Sequence, residues 1–449
     1  MSATPAEAAG PAAQARRPAR AAARRGAPTT ERPTQTVLLW ALIVFFWLEY
    51  ARPAGIVNLR LQFVISSLIP LFWIAGRGRP WSPILTAQLV FLLVNAAMVP
   101  FVLNTFAAYM TTRAMYGNFA IALGLSWLLS RRDWFTRVAW VWLGVMAYCA
   151  LFGLTHGGFG PGGFLRDEND LALGCSTALA FCLFGFVALT GWERWASGAL
   201  GLLFVMTSVV TLSRGGFIAL VGVGVYFFIG SRHKARDLGL VMLASAVFLI
   251  FAPPQYVKEL KSIEQTNEGT AEKRQFLWAT ATNMWKAYPL FGVGGNNFPY
   301  HAGDYQPMEG DWPEDYYQRS SSGTTVHSMF FQLLSEQGLV GVGLVGTMLF
   351  VHFRTLRRVR RLVASRKDAP ASLRRHVECY GGALGGAVVG AVAAGGFIST
   401  LYYPYIWYFT SMTVALEAGA RRELASLRAL PASAGPAPER PGRASPATP

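Results

Sequence analysis

The chain is short of charge. Of its 449 residues only 14% are Asp, Glu, Lys or Arg, whereas soluble globular proteins carry roughly 25%. With 53% hydrophobic residues, 14 Trp and 30 Phe, it cannot cover a water-facing surface of ordinary composition, which excludes a soluble multidomain enzyme. Acid is scarcer still: 24 Asp plus Glu stand against 40 Lys plus Arg, a formal charge of +16. Cysteine is rare as well. Cys149, Cys175, Cys182 and Cys379 lie in apolar runs or at their ends, without a CxxC pair or a histidine at ligand spacing, and read as small buried hydrophobes. No small-residue cleavage site follows the first apolar run, which starts at Val37 and leads into Glu49-Tyr50-Ala51-Arg52-Pro53. It therefore reads as a membrane span and not as a signal peptide.

What the chain has in quantity is long apolar segments. Twelve of them lie near 36–52, 56–75, 83–103, 113–130, 138–155, 170–190, 198–213, 215–230, 237–252, 328–352, 379–400 and 405–420. Each is roughly 16 to 25 residues, the length that crosses a hydrocarbon core as a helix. The expected fold is an all-α polytopic integral membrane protein of about 12 transmembrane helices, with 198–230 either two short spans or one re-entrant segment. Helices 1–9 occupy 36–252 and helices 10–12 occupy 328–426, with a large loop over 253–327 between them. The tails, 1–35 and 427–449, are rich in Ala, Pro and Arg and too poor in large apolar side chains to build a core; they are expected to be disordered.

Arginine position orients the spans. Arg16, Arg17, Arg20, Arg24, Arg25 and Arg32, Arg77 and Arg79, Arg131, Arg132 and Arg137, Arg194, Arg232, Lys234 and Arg236, and a basic loop from Arg354 to Arg375 fall on one side. By the positive-inside rule that side is the cytoplasm, with both termini in it and the 253–327 loop outside. The basic tails then require no nucleic acid. Within the loop a polar stretch, Gln255 to Gly269, precedes an amphipathic helix over Thr270–Tyr288, whose Phe276, Trp278, Met284 and Trp285 are expected to lie on the membrane surface. A Gly/Asn-rich turn follows Pro289, then an acidic and aromatic stretch to Tyr317.

Few residues can carry chemistry. Arg214, in Thr211-Leu212-Ser213-Arg214-Gly215-Gly216, interrupts an apolar stretch at its outer end and is a functional candidate by its cost alone, the plain alternative being an interfacial arginine that snorkels. Arg274 lies on the loop helix; its fork suits a diphosphate, although alone it reads as a solvated helix residue. His327, where the loop re-enters the membrane, can exchange a proton near neutral pH or simply cap its helix. His301 and His156 are weaker candidates. Arg166-Asp167-Glu168-Asn169-Asp170 opens a span, as helix capping or as a substrate-facing group. Asp304, Glu309, Asp311, Glu314 and Asp315 match no metal-loop spacing, so glycan contact or solvation is the better reading and no cofactor is expected. The Gly-rich turn lacks the strand and the Gly-Lys-Ser/Thr of a phosphate loop, which argues against nucleotide binding.

Trp285-Lys286-Ala287-Tyr288-Pro289-Leu290-Phe291-Gly292-Val293-Gly294-Gly295-Asn296-Asn297-Phe298, then Val326-His327-Ser328, then Leu334-Ser335-Glu336-Gln337-Gly338-Leu339-Val340-Gly341, resembles the signature of the bacterial O-antigen ligase and polymerase superfamily. Ser213-Arg214-Gly215 is similar to its arginine motif, and Glu168-Asn169-Asp170-Leu171-Ala172-Leu173 to a segment of an exosortase-associated branch. The resemblance covers roughly 160–345 in detail. It implies a GT-C-like fold with one large periplasmic loop, in the bacterial inner membrane. The implied reaction is inverting glycosyl transfer, without metal, from a glycan on undecaprenyl diphosphate to a glycan, lipid A-core or protein hydroxyl. On this reading Arg214 and Arg274, with Arg166 as a third contact, hold the diphosphate, and His327 deprotonates or orients the acceptor. Asp167, Glu168, Asn169, Asp170, Asn296 and His301 are candidate glycan contacts. A polymerase of the same superfamily is the near alternative. A transporter or flippase of lipid-linked glycans and a polytopic scaffold are the distant ones, because the notable charges gather at one interface and not at the bilayer midplane.

Overall fold

The computed structural model describes residues 33–52, 60–231, 233–251, 270–310, 312–318 and 320–429. The rest of both tails and the stretch Gln255–Gly269 lie outside the described residues. Each of the twelve apolar segments forms a helix: α1 (Pro33–Phe46, extended by a π-turn to Ala51), α2 (Leu61–Ala75), α3 (Pro83–Met98), α4 (Thr105–Leu128), α5 (Arg132–Thr155), α6 (Glu168–Ala188), α7 (Trp192–Val210), α8 (Arg214–Gly230) and α9 (Lys234–Phe251). The loop then supplies α10 (Thr270–Ala287), α11 (Phe298–Tyr305) and α12 (Glu314–Gln318), before α13 (Met329–Ala364), α14 (Ala371–Gly395) and α15 (Pro404–Ala429) close the bundle. Among the described residues there is no strand. α3, α5, α6, α13 and α14 are each long and apolar enough to cross a membrane, and large apolar side chains such as Trp40, Leu71, Ile229 and Phe350 face outward. This is an all-α, multi-pass membrane protein.

α6 and α14 form the centre of the bundle, and their small residues explain why. A Cβ at Gly382 would strike the Phe184 ring, and one at Gly386 would press on Ala180, so glycine lets the two helices approach closely. All four cysteines are buried and free among them and α5. α7 and α8 are separate helices joined by a tight turn at Leu212, which takes a left-handed φ of 52°. Several helices start before the apolar run does: α4 begins at Thr105, where Asn104 caps it by accepting the Ala107 N–H at 2.9 Å.

Two expectations are corrected. The basic segment from Arg354 to Arg375 is mostly helix, since α13 continues to Ala364 and α14 begins at Ala371; a helix does not stop where its apolar run stops, because its polar last turns bond internally as well. The apolar face of α10 does not lie on the membrane surface. Phe276 and Met284 are 3% and 0% exposed, packed with Leu277, Ala281, Val293, Phe298, Ala302 and Val326 into a small core that belongs to the loop itself. Trp278 stacks on Phe331 of α13, with ring centroids 5.1 Å apart. The partner that buries this face is other protein.

α13 is broken at Gly338 (φ 58°, ψ −160°), and the Gly-rich turn fills the break. The Val293 and Gly294 N–H groups donate to the Ser335 and Glu336 carbonyls at 2.9 Å each, while the Leu339 and Val340 N–H groups donate to the Pro289 and Leu290 carbonyls at 2.9 and 3.0 Å. A Cβ at Gly338 would meet the Leu290 backbone, and one at Gly292 the backbone of Glu336 and Gln337. Both glycines also carry positive φ, so the two motifs are glycine-rich because two backbones touch there.

Candidate functional site

The break positions a carboxylate. Glu336 is fully buried, and its side chain accepts from Tyr402 Oη at 2.7 Å, the Asn296 N–H at 2.9 Å, the Phe298 N–H at 3.3 Å and Gln332 Nε2 at 3.4 Å. Gln337 beside it donates to Tyr402 Oη and to Asn95 of α3, both at 2.8 Å, and accepts from Asn95 in return. Asn297 binds the start of α4, accepting the Asn104 N–H at 2.8 Å. The turn that superficially resembled a phosphate loop thus spends its N–H groups on α13. Asn296 serves through its backbone, in a left-handed conformation (φ 54°) with the side chain exposed at a cavity of about 340 Å3. Glu336, Tyr402, Tyr403 and Thr325 share that wall.

The three residues expected at the centre lie at the loop end of the bundle, where Arg274 feels the charge of Arg214 and His327 that of Arg274. Arg214 is the first residue of α8, whose cap Ser213 accepts the Gly216 N–H at 3.0 Å. A cation there opposes the helix dipole, whereas an anion would be welcomed by it. Arg274 is half-buried on α10, one turn before Trp278, which fixes that helix by donating to the Val326 carbonyl at 3.2 Å. Desolvation, and then the positive charge of Arg214, hold the proton affinity of Arg274 below the ordinary arginine value. Like charges are therefore held near each other. Val326 leads directly into His327, whose backbone is left-handed (φ 51°) and whose Nε2 lies 3.2 Å from Thr325 Oγ1. Its ring sits at the surface of the site. Desolvation by the surrounding groups, then Arg274, lower its pKa; Asp167 raises it and Lys273 lowers it slightly further. Desolvation and the Arg274 charge both favour the neutral ring, the form that can accept a proton.

The acidic motif divides. Asp167 caps α6 by accepting the Asn169 N–H at 2.8 Å, and its charge reaches His327. Asn169 accepts from Ser213 Oγ at 2.7 Å, which ties this motif to the arginine motif by one hydrogen bond. Asp170 is buried and accepts from Tyr403 Oη at 3.0 Å, with its second oxygen unpartnered. Glu168 is half-buried in the first turn, and Arg166 is exposed. His301 packs between Tyr288 and Tyr305, within a loop-borne aromatic cluster; desolvation lowers its pKa and Asp304 raises it in part. Among the described residues no three His, Cys, Asp or Glu side chains converge as a metal ligand set. Asp311 and the side chain of Asp315 lie outside them.

An apolar groove of about 290 Å3 runs beside this site, lined by Leu179, Val205, Phe217, Leu220, Val241 and Phe248. Phe217 is one turn below Arg214 on α8, so a lipid chain in the groove would bring its head group toward the arginines.

The family described as O-antigen ligase matches residues 198–346. That segment holds Arg214, Arg274, His327, the Gly-rich turn and the break in α13. The chain is also similar to the exopolysaccharide production protein ExoQ of Rhizobium meliloti (strain 1021), with 26% identity over 241 residues, 50% of this chain and 54% of that protein. The match thus spans about half the length of the relative. The chain is thus similar to the O-antigen ligase family over the segment that carries the signature turn and its junction with α13.

Proposed function

We propose that the protein transfers a glycan from undecaprenyl diphosphate to an acceptor hydroxyl. The reading places it in the bacterial inner membrane, with both termini cytoplasmic and the site facing the periplasm. The observation that carries this is Arg214 at the start of α8, one turn from the lining of an apolar groove, with Arg274 within its electrostatic reach and His327 within that of Arg274. The acceptor oxygen attacks the anomeric carbon as the bond to the diphosphate oxygen breaks, with inversion. The leaving diphosphate departs with the electron pair and is neutralised by the two guanidinium groups, whose planar forks each grip two oxygens. The acceptor proton passes to His327, and the resulting imidazolium is stabilised by Asp167. Asn296, exposed at the adjoining cavity, is available to the sugar.

The ligase reading takes lipid A-core, another glycan or a protein side chain as acceptor. The polymerase reading joins lipid-linked repeat units, and similarity to a protein of exopolysaccharide production supports it. Mass analysis of surface glycans after deletion separates them. Full-length glycan retained on undecaprenyl diphosphate indicates a ligase, single lipid-linked repeat units indicate a polymerase, and unchanged surface glycan and lipid-linked pools refute both.

A further inference from the structure

A second arginine cluster lies outside the matched segment. A cavity of about 610 Å3 is walled by Arg52 and Glu49 at the end of α1, Arg60 and Phe63 at the start of α2, Arg113 on α4, and Tyr402 and Tyr403. Among the described residues three arginines and one carboxylate line it, and the one ion pair is loose, with Arg52 Nη2 4.0 Å from Glu49 Oε1. Among the described residues Arg52 Nε is buried without a hydrogen-bond partner, and the bare backbone of Gly163 makes room for its guanidinium. Arg113 is held over the Phe63 ring, 4.5 Å from its centroid. Arg52 and Arg113 are half-buried and Arg60 is exposed, so three forked cations face a cavity that an anion could enter.

The mouth of the cavity identifies the kind of anion. Phe63 and Met110 belong to its wall and are yet 43% and 40% exposed, on helices whose outer faces are apolar, so it opens sideways toward lipid. Met110, Ala114, Tyr402 and Tyr403 also line the cavity that holds Thr325, the neighbour of His327. The prenyl groove lies on other helices, α6 to α9. We propose that Arg52, Arg60 and Arg113 bind the phosphate of a lipid-anchored acceptor, which enters from the α2/α4 side and extends its sugar past Tyr402 and Tyr403 to His327. This rests on the transferase reading above and adds the acceptor class: a phosphate-bearing glycolipid and not a protein side chain.

The test is a titration of the full-length protein in zwitterionic nanodiscs with farnesyl diphosphate, counting bound molecules by native mass spectrometry. The wild type is expected to bind two. Arg52→Gln/Arg60→Gln/Arg113→Gln is expected to bind one, with the remaining site unchanged, and Arg214→Gln/Arg274→Gln is expected to keep the other one. The retained site reports that each variant is folded. Arg113→Lys alone, the mildest change, should weaken the second site about tenfold through loss of the fork. Two sites in the triple variant, or an unchanged second site in Arg113→Lys, overturns the inference. So does displacement of the probe by equimolar phosphatidylglycerol, which would mark a bulk-lipid contact. If Arg214→Gln/Arg274→Gln keeps both sites, the donor assignment fails while the second site stands. Competition by a monophosphorylated lipid A disaccharide identifies a glycolipid acceptor, and its absence, with farnesyl diphosphate still bound, identifies a second polyprenyl-linked one; both support the site.

Discussion

The two ends of the bundle treat arginine differently. Away from the loop, arginines meet acids: Arg132 lies 3.1 Å from Glu423, and Arg358 and Arg421 lie 2.6 and 2.8 Å from the one carboxylate of Glu417. At the loop end arginine meets arginine, Arg214 against Arg274, and Arg52, Arg60 and Arg113 around one cavity. The first arrangement is ordinary surface pairing, worth about 0–1 kcal/mol per pair. The second sets like charges near one another, an arrangement that a bound anion would stabilise. Charge at one end is engaged in pairs with acids, and charge at the other is what the proposed function assigns to an anion.

Substitutions can break that contrast. The largest effect is expected at His327, where His327→Ala and His327→Gln should abolish detectable transfer, a loss of ~10²–10⁴-fold, with donor-lipid binding nearly unchanged. His327→Asn suits the left-handed backbone and serves as the folding control; normal turnover in any of the three would remove the base assignment. Next, Arg214→Lys and Arg274→Lys should each cut transfer by roughly tenfold or more, since lysine keeps the charge and loses the fork. Arg132→Lys and Arg358→Lys at the opposite end should leave transfer intact and change stability by less than about 1 kcal/mol. Equal losses at both ends would show that the arginines of the site are only structural.

A smaller shift concerns pH. The active form of His327 is neutral and its pKa is lowered, so activity should hold as pH falls through the ordinary histidine range near 6.5 and decline only below it. Removing the nearby charge in Arg274→Gln should raise that pKa, moving the midpoint toward 6.5; an NMR titration of the ring that shows no rise, or a fall, contradicts the electrostatic arrangement. The smallest expected effect is none. EDTA should not alter transfer by the reconstituted protein, and loss restored by magnesium would bring Asp304, Glu309 and the acids beside them forward as ligands.

How much of this could be read from the chain depended on distance in sequence. The helices were legible because twenty apolar residues leave little alternative, and only their ends were misjudged, where polar turns carry on the hydrogen-bond ladder. Arg214, Arg274 and His327 each stood out by chemistry, yet nothing local said that they meet. Glu336 went unnoticed as a functional group, because its partners Asn296, Tyr402 and, through Gln337, Asn95 come from three remote segments. Arg52, Arg60 and Arg113 form no pattern at all along the chain. The α10 face was amphipathic as expected, but hydrophobic spacing does not say whether lipid or protein will cover it.

The break in α13 limits how the site can open. Four backbone hydrogen bonds between Pro289–Gly294 and Ser335–Val340 replace those that a continuous helix would have made, and in a low-dielectric surround each orphaned group would cost several kcal/mol. The base of the loop is therefore a fixed point. Any motion that opens the site must pivot around it, with α10 on one side or the segment beyond Phe298 on the other, and the turn itself cannot swing out as a lid without melting the helix it completes.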